Sequence, residues 1–258
     1  IVLADESFVL NGDRLPAQLD RFLRRMEAVF GWPKGSTKGK AFIDLNEAMG
    51  YVRTRKPAFV VLPPKQFMQA HKAAGLDPLG TAILLDLYDT KEVHYYGVAR
   101  SSSTINEHVH MTPGLRLAVP GYDDLQWVNV LFDGTLPATT HFKYVPATDD
   151  AGAIAEVEAG RADFAMIGER AFRKIKPRVA EGGDLKVVFG TPPIPPSVFA
   201  ATKWSKPADR KKVAEKITDL CDGEGGNMCS QMGILYIMEP LKDGYTNWAW
   251  KYDRYVLR

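Results

Sequence analysis

Apolar positions follow two different spacings along the chain. Between residues 15 and 30, Leu15, Leu19, Phe22, Leu23, Met26, Val29 and Phe30 recur every three or four positions, with Arg21, Arg24 and Arg25 between them. That period predicts an amphipathic helix with one face on a core and its arginines in water. Asp13 and Pro16 stand where a helix cap and a first-turn proline belong. Elsewhere the apolar residues come in unbroken runs at Ile1-Val2-Leu3, Ala41-Phe42-Ile43 and residues 58–62 and 164–167, and in strand-like runs interrupted by a cation at residues 115–119 and 141–145. Short continuous runs are expected of parallel strands covered on both faces. Strands alternating with helical stretches predict α/β layers joined by right-handed crossovers.

One such pattern occurs twice. Residues 44–67 read DLNEAMGYVRTRKPAFVVLPPKQF and residues 149–172 read DDAGAIAEVEAGRADFAMIGERAF. A constant offset of 105 residues aligns Asp44 with Asp149, Ala48 with Ala153, Val52 with Val157, Phe59 with Phe164 and Phe67 with Phe172. Each copy predicts a short capped helix, a tight turn, a buried strand and the start of a second helix. An aromatic strand at residues 93–100 joins the copies. After the second copy, residues 187–190 run into TPPIPPSVFAAT, followed by a strand at residues 197–202. Prolines cannot donate to a ladder, so this is an extended crossing between sheets. In the tail, Val213, Ile217, Leu220 and Cys221 form one helical stripe, stopped by Gly223, Gly225 and Gly226. A second short helix is expected from Asn227, carrying Met228, Met232 and Leu235.

Composition narrows the class. The 258 residues are 45% hydrophobic and 25% charged, enough for a normal core without a disulfide framework. A net charge of +2 leaves no strong electrostatic footprint for nucleic acid or an anionic membrane. The densest basic cluster, Arg210, Lys211 and Lys212, reads as the wet face of a helix. No apolar run approaches the ~20 residues that span a bilayer. The chain opens on Ile1, which implies an upstream segment such as a signal peptide removed from it. Cys221 and Cys229 fit one disulfide of an exported protein, and equally two buried thiols.

Catalytic strings are missing: no G-x-S-x-G, H-E-x-x-H or phosphate-loop motif occurs. The expectation is therefore no enzyme and no cofactor. His108, His110 and Met111 form an H-x-H-M string that could hold copper or zinc if His94 or His141 approached. A polar surface loop is the simpler reading, and no metal site is assigned.

The order of the pieces resembles the substrate-binding proteins of ABC transporters, of the phosphate/phosphite/phosphonate-binding family. EVEAGRADFAMIG is similar to that family's helix-turn-strand in its second lobe, and VVFGTPPIPPSVFAATK to its proline-rich return to the first. YYGVARSSSTI resembles the first crossing, and KPADRKKVAEKITDLCDGEGGNMCSQMGI the closing helices. The resemblance covers residues 40–245 and implies a two-lobed periplasmic-binding-protein-like α/β fold. Two mixed sheets flanked by helices would be joined by two crossing strands. Residues 1–97 with 198–258 would form lobe 1 and residues 98–197 lobe 2. It also implies a monomeric solute-binding component of an importer, periplasmic or anchored at the cell surface. Its partners would be a small ligand, held between the lobes by hinge closure, and a membrane permease.

The repeat puts Lys65, Gln66, Glu169 and Arg170 at equivalent helix starts, and Lys65 and Arg170 align under the offset. Either cation could meet an anion. The resemblance further implies a Ser/Thr-rich anion loop at a helix N-terminus, where hydroxyls and N–H groups hold the phosphonate. The matching residues 119–127 read VPGYDDLQW. Asp123 and Asp124 replace the hydroxyls, and Tyr122, Gln126 and Trp127 complete the candidate loop. Aromatic rings beside carboxylates suit a cationic or amphipathic ligand. The alternative is a binding-protein fold recruited as a sensory or structural partner, its ligand changed or lost.

Overall fold

The computed structural model describes residues 1–5, 13–87, 91–120, 124–134 and 138–255, with backbone alone at 138–139. The chain divides into two compact units, Ile1–Lys91 with Pro195–Thr246, and Glu92–Ile194 with Asn247–Arg258. Along the first unit run β1 (Val2–Ala4), α1 (Leu15–Phe30), β2 (Lys40–Phe42), α2 (Leu45–Arg55), β3 (Phe59–Leu62), α3 (Pro64–Ala74) and β4 (Asp77–Leu84). The second unit follows with β5 (Tyr95–Arg100), β6 (Arg116–Pro120), α4 (Leu125–Leu131), α5 (Ala138–His141) and β7 (Lys143–Ala147). It continues through α6 (Asp150–Glu158), β8 (Phe164–Gly168), α7 (Glu169–Val179) and β9 (Leu185–Gly190). The chain then returns to the first unit with β10 (Ser197–Ala201), α8 (Pro207–Lys216), α9 (Glu224–Gln231) and β11 (Ile234–Met238). It ends in α10 (Lys242–Arg254), which begins in the first unit and finishes in the second.

Over the described residues, the first unit holds a six-stranded sheet of order β11-β4-β10-β3-β1-β2. β1 is parallel to β2 and β3, and β10 is antiparallel to β3 and β4. The second unit holds a five-stranded sheet of order β7-β6-β8-β5-β9. There β6 is parallel to β7 and β8, and β5 is antiparallel to β8 and β9. Two mixed sheets flanked by helices are the expected fold class.

The repeat is a structural one. β3 and β8 begin 105 residues apart, at Phe59 and Phe164, and α3 and α7 keep that offset at both ends. Asp44 and Asp149 cap α2 and α6: Asp44 accepts from the amides of Asn46 and Glu47, and Asp149 from that of Gly152. Every residue of β3 is buried, as are Phe164 to Ile167 of β8. Both strands lie covered on two faces, which is why their sequences do not alternate.

Several local expectations fail for identifiable reasons. α1 is capped by Arg14 without a side-chain bond, and Asp13 does not serve as its cap. Two of the three arginines expected in water are tied down. Arg24 donates to Glu27 and to the carbonyl of Thr37, and Arg25 to the carbonyls of Leu220, Asp219 and Asp222. The last short helix starts at Glu224, and Gly233, at φ 70°, ends the segment, so Leu235 belongs to β11. β4 escapes a pattern reading because Pro78 and Gly80 resemble a turn. In the sheet, a Cβ on Gly80 would lie 2.8 Å from Ile237 Cγ2, so only glycine admits that neighbour.

The tail also changes unit. Pro195–Thr246 belongs to the first unit and Asn247–Arg258 to the second. Trp248 Nε1 donates to the Pro193 carbonyl at 3.1 Å, and Gln126 Nε2 donates to the Tyr252 carbonyl. Lys251 lies 2.6 Å from Asp133. Cys221 and Cys229 form a disulfide with Cα atoms 5.6 Å apart.

Candidate functional site

In open α/β sheets, ligands collect where parallel strands end and helices begin. Each unit has such an edge. In the first, β3 runs through Pro63 into α3, whose first turn carries Lys65 and Gln66. α3 has no side-chain cap and no acidic residue in that turn, so the positive end of its dipole faces no carboxylate from its own first turn. Gln66 is buried and Lys65 half-buried.

The second unit's edge is different in sign. β8 leads directly into α7 at Gly168, and Glu169 is the first helical residue. The register pairs Tyr95 with Gly168 and Tyr96 with Ile167, which brings the aromatic strand β5 beside the start of α7. The Tyr96 hydroxyl donates to Glu169 Oε2 at 3.0 Å, and Arg173 Nε donates to Glu169 Oε1 at 3.0 Å. The Tyr96 ring stacks on Phe172 with centroids 3.8 Å apart. Burial, followed by the hydrogen bond to the Glu169 carboxylate, pushes the Tyr96 phenol up to about 12. Glu169 is thus a held carboxylate with a neutral phenol on one oxygen and a guanidinium on the other.

Neighbouring helix starts are headed by acids as well. Asp150 opens α6 and accepts from the amide of Gly168 at 3.2 Å. Asp124 caps α4, accepting from the Trp127 amide at 2.9 Å, and receives the Tyr252 hydroxyl at 3.2 Å. Burial, followed by the charge of Asp124, raises the Tyr252 phenol above its ordinary range. Gln126 is bonded to the Tyr252 carbonyl, and Trp127 is buried between Tyr95, edge-on at 5.7 Å, and Trp248 at 6.4 Å. Asp124, Gln126 and Trp127 therefore come together, but in contact with the C-terminal helix. Tyr122 and Asp123 lie outside the described residues. Arg170 sits beside Glu169 in the first turn of α7 and is half-buried.

Sequence reading passed over Tyr95, Tyr96, Asp150, Arg173 and Tyr252. The aromatic run VHYYG held the signal for the two β5 tyrosines. Arg173 follows Glu169 at the i,i+4 spacing of a helical ion pair. Tyr252 lies 128 residues from Asp124, and nothing local announces that contact.

His108 and His110 have ring centroids 6.4 Å apart. Among the described residues no group of three His, Cys, Asp or Glu side chains is placed to hold a metal ion. No described helix is long and apolar enough to cross a membrane. An open hollow of about 340 Å³ lies at the other edge of the second unit, lined by Arg100, Ser101, Ser102, Glu158, Asp184 and Leu185. Arg178 bridges its Glu158 at 2.6 Å and also its Asp184, so both of those acids are already paired. We place the candidate site at the carboxyl edges of the strands, where ligands of open α/β sheets collect.

Comparison with known proteins agrees with this architecture. A family model described as the periplasmic substrate-binding protein of a phosphonate ABC transporter matches residues 9–243. No curated protein matches significantly. Among solved structures, XAC2383 from Xanthomonas citri, bound to chloride, is similar with a TM-score of 0.74 at 17% identity, covering 99% of this chain and 98% of that one. A binding-protein component of an ABC phosphonate transporter from Pseudomonas aeruginosa gives a TM-score of 0.65 at 14% identity, covering 99% and 87%. PhnD1 from Prochlorococcus marinus, in complex with methylphosphonate, gives 0.61 at 15% identity, covering 98% and 96%. At these identities the solved structures carry the fold alone.

Proposed function

From the premise that the chain belongs to the periplasmic substrate-binding family of phosphonate ABC transporters, we propose that it is the solute-binding component of an importer. In this reading it is not an enzyme, acts in the periplasm or at the cell surface, and delivers a small ligand to a membrane permease. The ligand is held by residues of both units, which close on it by hinge motion.

The observation that carries the ligand class is the contrast between the helix starts. α3 has no acid in its first turn and carries Lys65, whereas α4, α6 and α7 begin on Asp124, Asp150 and Glu169. Lys65, Gln66 and Arg170 suit an oxyanion, and Glu169, Asp124 and the aromatic residues suit a cationic group. A ligand carrying both charges, such as an aminophosphonate or an amino acid, fits this set better than a bare phosphonate. Tyr122 and Asp123 belong to the same proposed set.

A thermal-shift series tests it. Phosphate, methylphosphonate, 2-aminoethylphosphonate, simple amines and amino acids are each added at millimolar concentration. A ligand at 100 times its Kd stabilises by about 2.7 kcal/mol. A compound with both charges should raise the midpoint most, and Glu169→Gln should remove the preference for the amine. A shift with methylphosphonate equal to that with its amino analogue would sink the two-charge reading.

A second reading rests on the contacts of Asp124 and Gln126. Both bond to Tyr252 of the C-terminal helix. If no compound class shifts the midpoint, the fold serves as a sensory or structural partner, and pull-down of a permease or receptor becomes the relevant experiment.

A further inference from the structure

α10 passes from the first unit to the second between Thr246 and Asn247. Each half is fixed to its own unit. In the first, Tyr245 is fully buried, and its hydroxyl lies 3.2 Å from Thr81 Oγ1, 3.2 Å from the Pro196 carbonyl and 3.3 Å from that of Ser197. Its ring rests 5.3 Å from Phe67 of α3, directly after Lys65 and Gln66. Gly244 is pressed on Pro195, where a Cβ would come within 2.8 Å of Cγ. In the second unit, Trp248 is buried and bonded to Pro193, Lys251 pairs with Asp133, and Tyr252 engages Asp124 and Gln126.

We infer that α10 is a strap that couples the two units, so that neither moves or unfolds without bending this helix or detaching one half of it. A continuous helix resists bending, because a kink breaks the i to i−4 bonds that cross it. α10 has no proline, and its glycine lies in the anchored first half. The crossing residues Thr246 and Asn247 are exposed and make no part of the core. The strap also ends on the two helices, α3 and α4, whose starts carry Lys65 and Asp124. The coupling stands on the anchors and does not depend on what those residues bind.

Calorimetry and hydrogen exchange on the full chain test this, with Asn247→Pro and the double variant Thr246→Gly, Asn247→Gly. The wild type should unfold in one transition with equal calorimetric and van't Hoff enthalpies. Both variants should separate it into two transitions. Amide exchange in residues 248–254 should quicken at least tenfold while residues 242–245 stay as protected as in the wild type. If Asn247→Pro does not fold, the glycine variant is read in the same way. A wild type that already unfolds in two steps, or variants that keep one transition and unchanged exchange, would overturn the inference.

Discussion

Glu27 shows how much a single side chain can organise. It sits one turn from the end of α1 and is nearly fully buried. Its carboxylate accepts from the amides of Gly35 at 2.8 Å and Thr37 at 2.6 Å, and from Arg24 at 2.6 Å. Burial works against its charge, but the two amides and the guanidinium outweigh it and hold the pKa below the usual value. The loop after α1 is thus folded around an internal anion. Asp163 is the matching case in the second unit. Its bonds to the Arg116 side chain lower its pKa against the opposing effect of burial, and the Arg116 amide adds to them at 2.8 Å. A carboxylate with a lowered folded pKa stabilises above its unfolded pKa, about 3.9 for aspartate, and loses that contribution as pH falls through the folded value. The pair is partly solvated, so Asp163→Asn should cost about 1 kcal/mol at pH 7. Denaturant melts of wild type and variant should converge as the pH drops below the carboxylate range.

Between elements, the repeat makes the most direct predictions. Phe164 is fully buried in β8, where its ring meets Phe142 at 5.4 Å. Phe164→Ala should lose about 3–5 kcal/mol, measured as a lower urea midpoint at an unchanged slope. Gly80 is a different kind of core position, because the space for its side chain is already filled by Ile237 and Ile217. Gly80→Val should destabilise by about 1–3 kcal/mol through overpacking, and in a double-mutant cycle that penalty should shrink when Ile237 is already alanine. The Cys221–Cys229 bridge closes an eight-residue separation between the 3-10 turn at Thr218–Cys221 and α9. In the chain-entropy model so short a loop is worth about 2–3 kcal/mol. The thermal midpoint should therefore fall when reductant is added, and a Cys221→Ser, Cys229→Ser variant should melt at the reduced value in either condition.

For the molecule as a whole, the pattern of runs and periods was enough to reveal the class and the duplication. The 105-residue offset works because both copies solve the same problem of covering a parallel strand on two faces. β4 and α10 were harder to see. A strand containing Pro78 and Gly80 looks like a turn until β10 and β11 flank it. α10 carries aromatic residues that divide between two units, so no single apolar stripe describes it. The candidate site divides in the same way. Lys65, Glu169 and Arg170 are legible because helix starts after buried strands are predictable positions. Tyr96 on Glu169 and Tyr252 on Asp124 are set by strand pairing and by the course of the tail.

What the sequence determined by itself is local and periodic: buried runs, helical stripes, caps at Asp44 and Asp149, and a crossing that its prolines keep out of the ladder. These depend on neighbours a few residues away, and their physics is complete within such windows. Tertiary structure decided which groups neutralise or confront one another. It closed the disulfide, assigned the end of α10 to the second unit, and gave Glu169 a phenol and a guanidinium as partners. Those outcomes depend on distances between residues far apart in the chain, which only the folded sheets bring within reach of a hydrogen bond.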